Sequence, residues 1–241
     1  MSINAQLMSA DDCYLKTSRI DIWEFPLDKA FDRANSLLDE TELTRANRYH
    51  FDRHKRRFTI ARASLRLILG RYLHQEGHHL TFNYSQHGKP QVNHDLAIQF
   101  NLSHSGELAL LAVGNQFPLG IDLEFFSARP YDGIAESLFS EQELQIFLKL
   151  PNYLKPQVFF HIWSQKEAFI KAIGLGLSYP TKLFSVPVFA KEAELITDSI
   201  HNCQWIMRSF MPKVALSAAL CHHPGIKELR YIRLDNPAVL F

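Results

Sequence analysis

The chain has 241 residues, 46% of them hydrophobic, which is enough apolar material for a sizeable core in one large domain or two small ones. Its formal net charge is +1, so no global field favours a nucleic-acid or membrane partner. The three cysteines form no C-x-x-C pair, which argues against a disulfide framework and a zinc site. The sequence has no signal-peptide pattern and no run of about 18 apolar residues, so we expect a cytoplasmic protein.

The N-terminal part predicts one strand and two helices. Residues 19–25 alternate as a β-strand does, and residues 27–38 carry apolar side chains at helical spacing. Asp39 or Thr41 is a candidate N-cap for a helix over residues 42–49. Acidic residues in the first turn of that helix would suit its dipole.

A basic helix follows. Residues 45–71 contain nine Lys or Arg residues and one acid, Asp52. The apolar positions that form its buried stripe are Phe58, Ala61, Leu65, Ile68 and Tyr72. So much like charge is destabilising without counterions and indicates an anionic partner. An ordinary solvated basic face is the alternative.

A turn and a strand come next. Residues 80–84 predict a strand, and the Q-H-G-K-P sequence after it predicts a tight turn that leaves Lys89 projecting. Residues 97–101 predict a strand that places Ser103 and His104 at its end, where the imidazole is able to donate to a phosphate oxygen. A plain surface turn and a structural histidine are the alternatives.

Two carboxylates follow a strongly apolar run. Residues 108–113 and 119–126 predict a β-hairpin. Asp122 and Glu124 alternate with apolar residues, so both carboxylates lie on one face of the strand. Adjacent carboxylates repel each other unless a cation lies between them, although a solvated outer strand face is the commoner arrangement.

The segment W-S-Q-K-E-A-F-I-K predicts a helix that ends near Gly174 or Gly176. Trp163, Glu167 and Lys171 recur every four residues and therefore share one face of this helix. The simplest interpretation is a surface helix with one Glu167–Lys171 ion pair.

A second interpretation of the same helix is a metal site. Glu167 would complete an all-oxygen Mg²⁺ site with Asp122 and Glu124. Lys166 lies at the edge of the buried side, where an ammonium must reach water or meet an anion.

The remaining segments predict one helix and a sheet. Ser140 followed by Glu143 forms a capping-box pattern at the start of a helix over residues 141–149. An antiparallel sheet is predicted from strands over residues 183–189, 204–210, 214–221 and 229–234.

Three motifs together closely resemble the Sfp-type, surfactin-synthetase-activating 4′-phosphopantetheinyl transferases. They are F-N-L-S-H-S-G, G-I-D-L-E and W-S-Q-K-E-A-F-I-K-A-I-G-L-G-L-S, and the H-G-K-P turn and the arginine-rich helix also match, so the resemblance covers roughly residues 40–185. It implies an α+β fold of two similar halves related by a pseudo-two-fold, each an antiparallel sheet packed with helices, with coenzyme A in the cleft between them. We place the boundary near Pro118, which gives halves 1–117 and 118–241.

The resemblance also implies a reaction. A serine hydroxyl of an apo acyl, polyketide or peptidyl carrier protein would accept 4′-phosphopantetheine from coenzyme A, with Mg²⁺ present and 3′,5′-ADP released. The implied metal ligands are Asp122, Glu124 and Glu167, and the implied catalytic residues are Glu167 as candidate base, Lys171 and His104. The implied contacts to coenzyme A are Arg45, Arg57, Arg62, Gly88, Lys89, Pro90, Ser103, His104, Asp122, Lys166 and Lys171. Among these, Lys89 is expected on the 3′-phosphate.

The resemblance further implies a monomer that binds its carrier protein near Phe139 and Phe147. Two alternatives from other classes are a non-catalytic coenzyme A or nucleotide-binding module and a Mg²⁺-dependent hydrolase of the pyrophosphate. We expect neither a nucleic-acid nor a membrane partner.

Overall fold

The computed structural model describes residues 2–4, 12–29, 31–189 and 192–240. The chain divides into two compact units: Met1–Tyr84, Pro90–Gln116 and Lys227–Phe241 form the first, and Ser85–Lys89 and Phe117–Ile226 form the second. Each unit combines a sheet with helices, which confirms the α+β class. The division differs from the predicted halves 1–117 and 118–241, because the C-terminal segment groups with the first unit.

Strands and helices alternate irregularly along the chain. The strands are β1 (Ser2–Asn4), β2 (Arg19–Pro26), β3 (Phe82–Tyr84), β4 (Pro90–Val92), β5 (Ile98–Ser105), β6 (Leu108–Asn115), β7 (Leu119–Phe125), β8 (Glu194–Asp198), β9 (Cys203–Phe210), β10 (Leu216–His222) and β11 (Glu228–Arg233). The helices are α1 (Glu40–Asn47), α2 (Asp52–Leu73), α3 (Tyr131–Leu138), α4 (Glu141–Leu148) and α5 (Lys155–Ile173). No helix among the described residues is long and apolar enough to span a membrane.

The first unit is built on a five-stranded sheet with the order β1-β11-β2-β6-β5. Strand β11 pairs in parallel with both β1 and β2, whereas β6 pairs antiparallel with β2 and β5. The expectation of an antiparallel sheet is therefore wrong for one edge of this sheet. The predicted strand over residues 229–234 exists, but it belongs to this sheet and not to a C-terminal one.

Helices α1 and α2 pack together in the first unit. Asp39 caps α1 in a capping box with Glu42, which confirms one of the two predicted caps. The predicted helix over residues 27–38 is wrong, since the described part holds only a 3₁₀ turn at Asn35–Leu37. Apolar side chains of that segment fill a small cluster with residues of α1 and α2, so their spacing imitated a helix face.

The second unit carries an antiparallel sheet with the order β7-β10-β9-β8, and α5 packs on β7 and β10. Strands β6 and β7 do not form the predicted hairpin, because β6 pairs with β2 and β5 while β7 pairs with β10. The strand predicted over residues 183–189 is also wrong. Thr181–Leu183 is a 3₁₀ turn, and the described residues after it are irregular up to β8, which the sequence pattern missed.

Two aromatic residues expected at a carrier-protein surface belong to the core instead. Phe139 and Phe147 are buried and pack edge to face against each other beside Phe159 of α5. The capping box of Ser140 and Glu143 is confirmed at the start of α4. It places Glu143 inside the unit, where the carboxylate is almost fully buried.

Candidate active site

A glycine allows strand β7 to lie unusually close to helix α5. A Cβ atom at Gly120 would be 2.1 Å from the carbonyl oxygen of Ala168 and 2.3 Å from the amide nitrogen of Ala172. No side chain fits in that space, so the strand interior requires glycine here. The close approach brings the residues that follow Gly120 on β7 beside the face of α5 that carries Glu167 and Lys171.

Three carboxylates share one electrostatic neighbourhood between β7 and α5. Burial raises the pKa of Glu167 to about 7; the charge of Asp122 adds to this rise, Lys171 opposes it, and Glu124 adds to it. Burial and then the charge of Asp122 also raise the pKa of Glu124. The charge of Asp122 thus disfavours ionisation of both glutamates, as expected where carboxylates lie close together.

Two side chains of α5 reach the carboxylates of β7. The Lys171 ammonium lies 2.6 Å from Asp122 Oδ1, and the Trp163 indole Nε1 donates to Glu124 Oε1 at 2.8 Å. The predicted strip of Trp163, Glu167 and Lys171 therefore faces the predicted pair on β7. The sequence placed each set on one face of its own element, and the packing of α5 on β7 brings the two faces together.

The donor chemistry of this cluster fits Mg²⁺. Its donors are carboxylate oxygens, which a hard divalent cation prefers. The pKa of Glu167 is raised first by burial and then by the charge of Asp122, and a cation would favour the ionised form of both groups. Within the described residues, no group of three or more His, Cys, Asp or Glu side chains is arranged as a metal site. Asp122 is directed at Lys171 and Glu124 at Trp163.

Lys166 lies outside this cluster and pairs inside its own unit, and its contact to coenzyme A stays a prediction. Its side chain is fully buried, and the ammonium lies 2.9 Å from Glu143 Oε2 while donating to the carbonyl oxygens of Thr181 and Phe184 at 2.8 and 2.9 Å. Burial lowers the pKa of Lys166, and the charge of Glu143 opposes that shift. The anion that this lysine requires is therefore a residue of the same unit.

Lys89 does not project from its turn as the sequence predicts. Its ammonium donates to the carbonyl oxygens of Lys171 at 2.7 Å, Leu119 at 3.0 Å and Ala172 at 3.3 Å. Burial lowers the pKa of Lys89 to about 8. Its three N–H donors are directed at backbone oxygens, and its expected contact to the 3′-phosphate of coenzyme A stays a prediction.

The neighbours of Lys89 form the predicted tight turn. Gly88 has φ +82° and donates its amide to the carbonyl oxygen of Ser85 at 2.9 Å. Pro90 begins β4 and pairs with Tyr84 across the hairpin. Gly88 is exposed, and a Cβ atom there would meet nothing within 4 Å, so its backbone is open to a ligand.

Most of the basic helix is neutralised inside the first unit. Arg62 pairs with the buried Glu42 of α1, and Arg57 donates to Glu107 at 2.6 Å. Acids distant in sequence pair with both arginines, and their contacts to coenzyme A stay predictions. Arg45 is exposed, and its guanidinium lies 5.2 Å from the centre of the Phe58 ring. Among the three predicted arginines, only Arg45 is exposed.

Ser103 and His104 lie in the first unit near the end of β5. Ser103 is buried and pairs in register with Leu110, whereas His104 is exposed and pairs with Ala109. The strand continues to Ser105, so both residues belong to the strand itself. The alternation of the strand therefore places their side chains on opposite faces.

Two family models match the chain. A 4′-phosphopantetheinyl transferase superfamily model matches residues 118–219, and a model of the 4′-phosphopantetheinyl transferase N-terminal region matches residues 22–116. The 4′-phosphopantetheinyl transferase HetI of Nostoc sp. is 37% identical over 78% of this chain and 86% of its own length. The chain belongs to the 4′-phosphopantetheinyl transferase family.

Two Bacillus subtilis members of the family are 30% identical to this chain. The 4′-phosphopantetheinyl transferase ffp aligns over 79% of this chain and 84% of its own length, and the 4′-phosphopantetheinyl transferase Sfp aligns over 64% and 68%. These relatives confirm the Sfp-type resemblance. Their names specify neither the carrier protein nor the donor of the phosphopantetheinyl group. Proposals about these substrates therefore depend on the residues of this transferase.

Sequence reasoning missed two contributors to the candidate site of this 4′-phosphopantetheinyl transferase. Gly120 sets the distance between β7 and α5, and a glycine inside a strand pattern was the signal that could have identified it. Trp163 was placed on the right face, but its hydrogen bond to Glu124 was not foreseen. No local pattern reveals that bond, because its partners are 39 residues apart.

Proposed function

We propose that this 4′-phosphopantetheinyl transferase takes the 4′-phosphopantetheinyl group from coenzyme A and transfers it to a serine hydroxyl of an apo carrier protein. The serine oxygen forms a bond to the β-phosphorus of coenzyme A. The bond from that phosphorus to the bridging oxygen breaks, and 3′,5′-ADP leaves with the electron pair. The observation that carries the proposal is the meeting of Asp122 and Glu124 of β7 with Glu167 and Lys171 of α5.

Glu167 is the proposed acceptor of the serine proton. In the absence of a cation, a carboxylate whose pKa is about 7 is a stronger base than an ordinary glutamate and still ionises near neutrality. A cation bound to Glu167 would lower that pKa and weaken the base. Lys171 is the proposed electrostatic partner of the phosphate oxygens, and its ammonium is held within reach of the site by Asp122. Fixed charges of this kind are the main contribution of a protein to phosphoryl transfer.

Asp122, Glu124 and Glu167 are the proposed holders of Mg²⁺. When bound, the cation would neutralise charge that develops on the pyrophosphate oxygens. Two other side chains support these carboxylates: Trp163 orients Glu124, and Lys171 balances the charge of Asp122. Glu167 has two proposed roles, and a water molecule would carry the proton if its carboxylate oxygens were all committed to the cation.

The proposed contacts to coenzyme A differ in how open their groups are to a ligand. Arg45 remains a proposed phosphate ligand because its guanidinium is exposed, and Ser103, His104 and the backbone of Gly88 and Pro90 remain proposed contacts. The proposed partner is an acyl, polyketide or peptidyl carrier protein. The proposed location is the cytoplasm, which suits three cysteines that are all free thiols, and the proposed state is a monomer.

The test is intact-protein mass spectrometry of apo carrier proteins after incubation with coenzyme A, with and without Mg²⁺. We expect a metal-dependent gain of one phosphopantetheine on a carrier, and no gain with Glu167→Gln or Asp122→Asn. Release of free phosphopantetheine would instead identify a hydrolase. Normal transfer by either variant would contradict the assignment of the carboxylates.

A further inference from the structure

The hairpin turn Ser85–Lys89 is anchored by one side chain to both elements that carry the candidate site. Lys89 donates to the carbonyl oxygens of Lys171 and Ala172 in the last turn of α5 and to that of Leu119 at the start of β7. One ammonium therefore connects the C-terminal end of α5 to β7. At one end of this connection, Lys171 itself belongs to the candidate site. At the other end, Leu119 lies three residues before Asp122.

The last turn of a helix is a favourable place for this cation. Its carbonyl groups have no partner within the helix, and the helix dipole adds partial negative charge there. Helix α5 ends at Gly174, which has φ +80° and donates to the carbonyl oxygen of Ile170. The Cβ position of Gly174 lies 3.4 Å from Lys89 Cδ, so the lysine stem lies against the end of the helix.

The same region has no spare space between strand and helix. Gly120 directly follows Leu119. A Cβ atom at Gly120 would lie closer to the backbone of Ala168 and Ala172 than an ordinary van der Waals contact allows. Lys89 contacts this close-packed region at the start of β7 and the last turn of α5. We propose that Lys89 is a positioning residue, which holds the last turn of α5 against β7 and thereby fixes Lys171 and Glu167 relative to Asp122.

This proposal rests on the proposed function for its catalytic consequence, although the connection itself does not depend on any ligand. Loss of the ammonium should let the last turn of α5 move relative to β7. A displacement of about 1 Å at a reacting group commonly lowers turnover by up to about a hundredfold. The effect should fall on kcat and not on the affinity for coenzyme A, because the groups that bind the donor remain.

The ligand-free test compares hydrogen–deuterium exchange of the whole chain for wild type and Lys89→Met, which keeps the stem length but removes all three donors. We expect faster exchange in the last turn of α5 and in β7, and unchanged exchange in β8 and β9. Lys149→Met, at an exposed lysine after α4, is the matched control and should leave all of these segments unchanged. Unchanged exchange in α5 and β7 of Lys89→Met would overturn the proposal even if transfer were never observed.

The kinetic test separates positioning from phosphate binding. For Lys89→Met we expect kcat to fall by about tenfold or more while KM for coenzyme A changes by less than about threefold. The loss should be equal with dephospho-coenzyme A, and Lys89→Arg should retain more activity than Lys89→Met because it keeps a cationic donor. A rise in KM confined to coenzyme A would overturn the proposal in favour of a 3′-phosphate ligand. No transfer by wild type would contradict the proposed function and leave the exchange result to decide the positioning role.

Discussion

Glu167 is half-buried near two other carboxylates, and the charge of Lys171 favours its ionised form. Its pKa of about 7 lies well above the ordinary value of 4.5. Between those two values the folded chain without metal holds more protons than the unfolded chain at this site. The contribution of Glu167 to stability is therefore complete below the unfolded pKa and is lost as the pH rises through about 7.

We predict that this pH dependence disappears in Glu167→Gln. The free energy of unfolding of the second unit should fall more for wild type than for the variant between about pH 5 and about pH 8, in the absence of Mg²⁺. Urea unfolding followed by tryptophan fluorescence measures the difference. Histidines titrate in the same pH range and affect both proteins. The quantity to compare is therefore the pH-dependent change in the free energy of unfolding of wild type minus the same change in the variant. Identical changes in both proteins would contradict the raised pKa.

The buried ion pair of Lys166 and Glu143 stabilises the second unit. The W-S-Q-K-E-A-F-I-K motif contains the lysine but does not identify its partner. Both side chains are almost fully buried, and Glu143 also accepts from the backbone amides of Ser140 and Val186 at 2.7 Å. Removing one partner of such a pair leaves an uncompensated charge inside the unit.

We predict that Lys166→Met lowers the free energy of unfolding by about 3–5 kcal/mol. The double variant Lys166→Met with Glu143→Gln should recover much of this loss, because the remaining side chain is neutral and keeps one hydrogen-bond acceptor. Lys182→Met, at an exposed lysine, serves as control. A selective loss of coenzyme A affinity in Lys166→Met at unchanged stability would restore the role expected from the resemblance.

At the scale of the element, the strand β7 and the helix α5 behave as one structure because Gly120 removes the side chain between them. A methyl group at this position would overlap three backbone atoms of α5, in Ala168, Lys171 and Ala172. Backbone atoms do not move aside as a flexible side-chain end does, so the whole helix would have to shift.

We predict that Gly120→Ala lowers the free energy of unfolding by about 1–3 kcal/mol or more and abolishes most of the transfer activity. Gly133→Ala is the matched control, because that glycine lies within α3 and a Cβ atom there would meet nothing within 4 Å. Replacement by alanine inside an unhindered helix should stabilise by up to about 1 kcal/mol. Urea unfolding and a transfer assay measure both variants, and equal behaviour of the two would contradict the close contact.

At the scale of the whole molecule, the first unit depends on both ends of the chain. Strand β11 lies between β1 and β2 in the sheet, and Ile232 of β11 is fully buried in the core of that unit. The sequence that separates β2 from β11 includes the entire second unit. Such long-range parallel pairing requires closure of a large loop, which slows folding.

We predict that Ile232→Ala destabilises the first unit by about 2–5 kcal/mol and speeds amide exchange in β2. Leu229→Ala on the same strand is the control, because 37% of that side chain is exposed. Hydrogen exchange followed by peptide mass spectrometry measures the effect segment by segment. If β2 remained as protected in Ile232→Ala as in the control, the pairing of β2 with β11 would be wrong.

Local interactions were predicted more accurately than distant ones. The capping box at Ser140 was predicted, and Asp39 and Gly174 were each one of two candidates for the start of α1 and the end of α5, because each feature depends on residues within one turn. The hairpin of β6 with β7 and the strand over residues 183–189 were predicted wrongly. Alternation and apolar content do not record which strand is the neighbour.

Within the candidate site, local sequence patterns were sufficient to show which side chains share a face. Asp122 and Glu124 stand on one side of β7, and Trp163, Glu167 and Lys171 follow one strip of α5, because strand and helix repeat with periods of 2 and 3.6 residues. These local periods are properties of the backbone and need no knowledge of the fold.

Which charges are still available to a ligand depends instead on tertiary packing. Lys166 is already paired with Glu143, Arg62 with Glu42, and Lys89 with the end of α5. Each partner lies many residues away or is a backbone group, so no spacing rule reveals it. Burial makes an unpaired charge so unfavourable that the fold itself supplies the counterion, and the sequence motif shows the lysine or arginine without showing its partner.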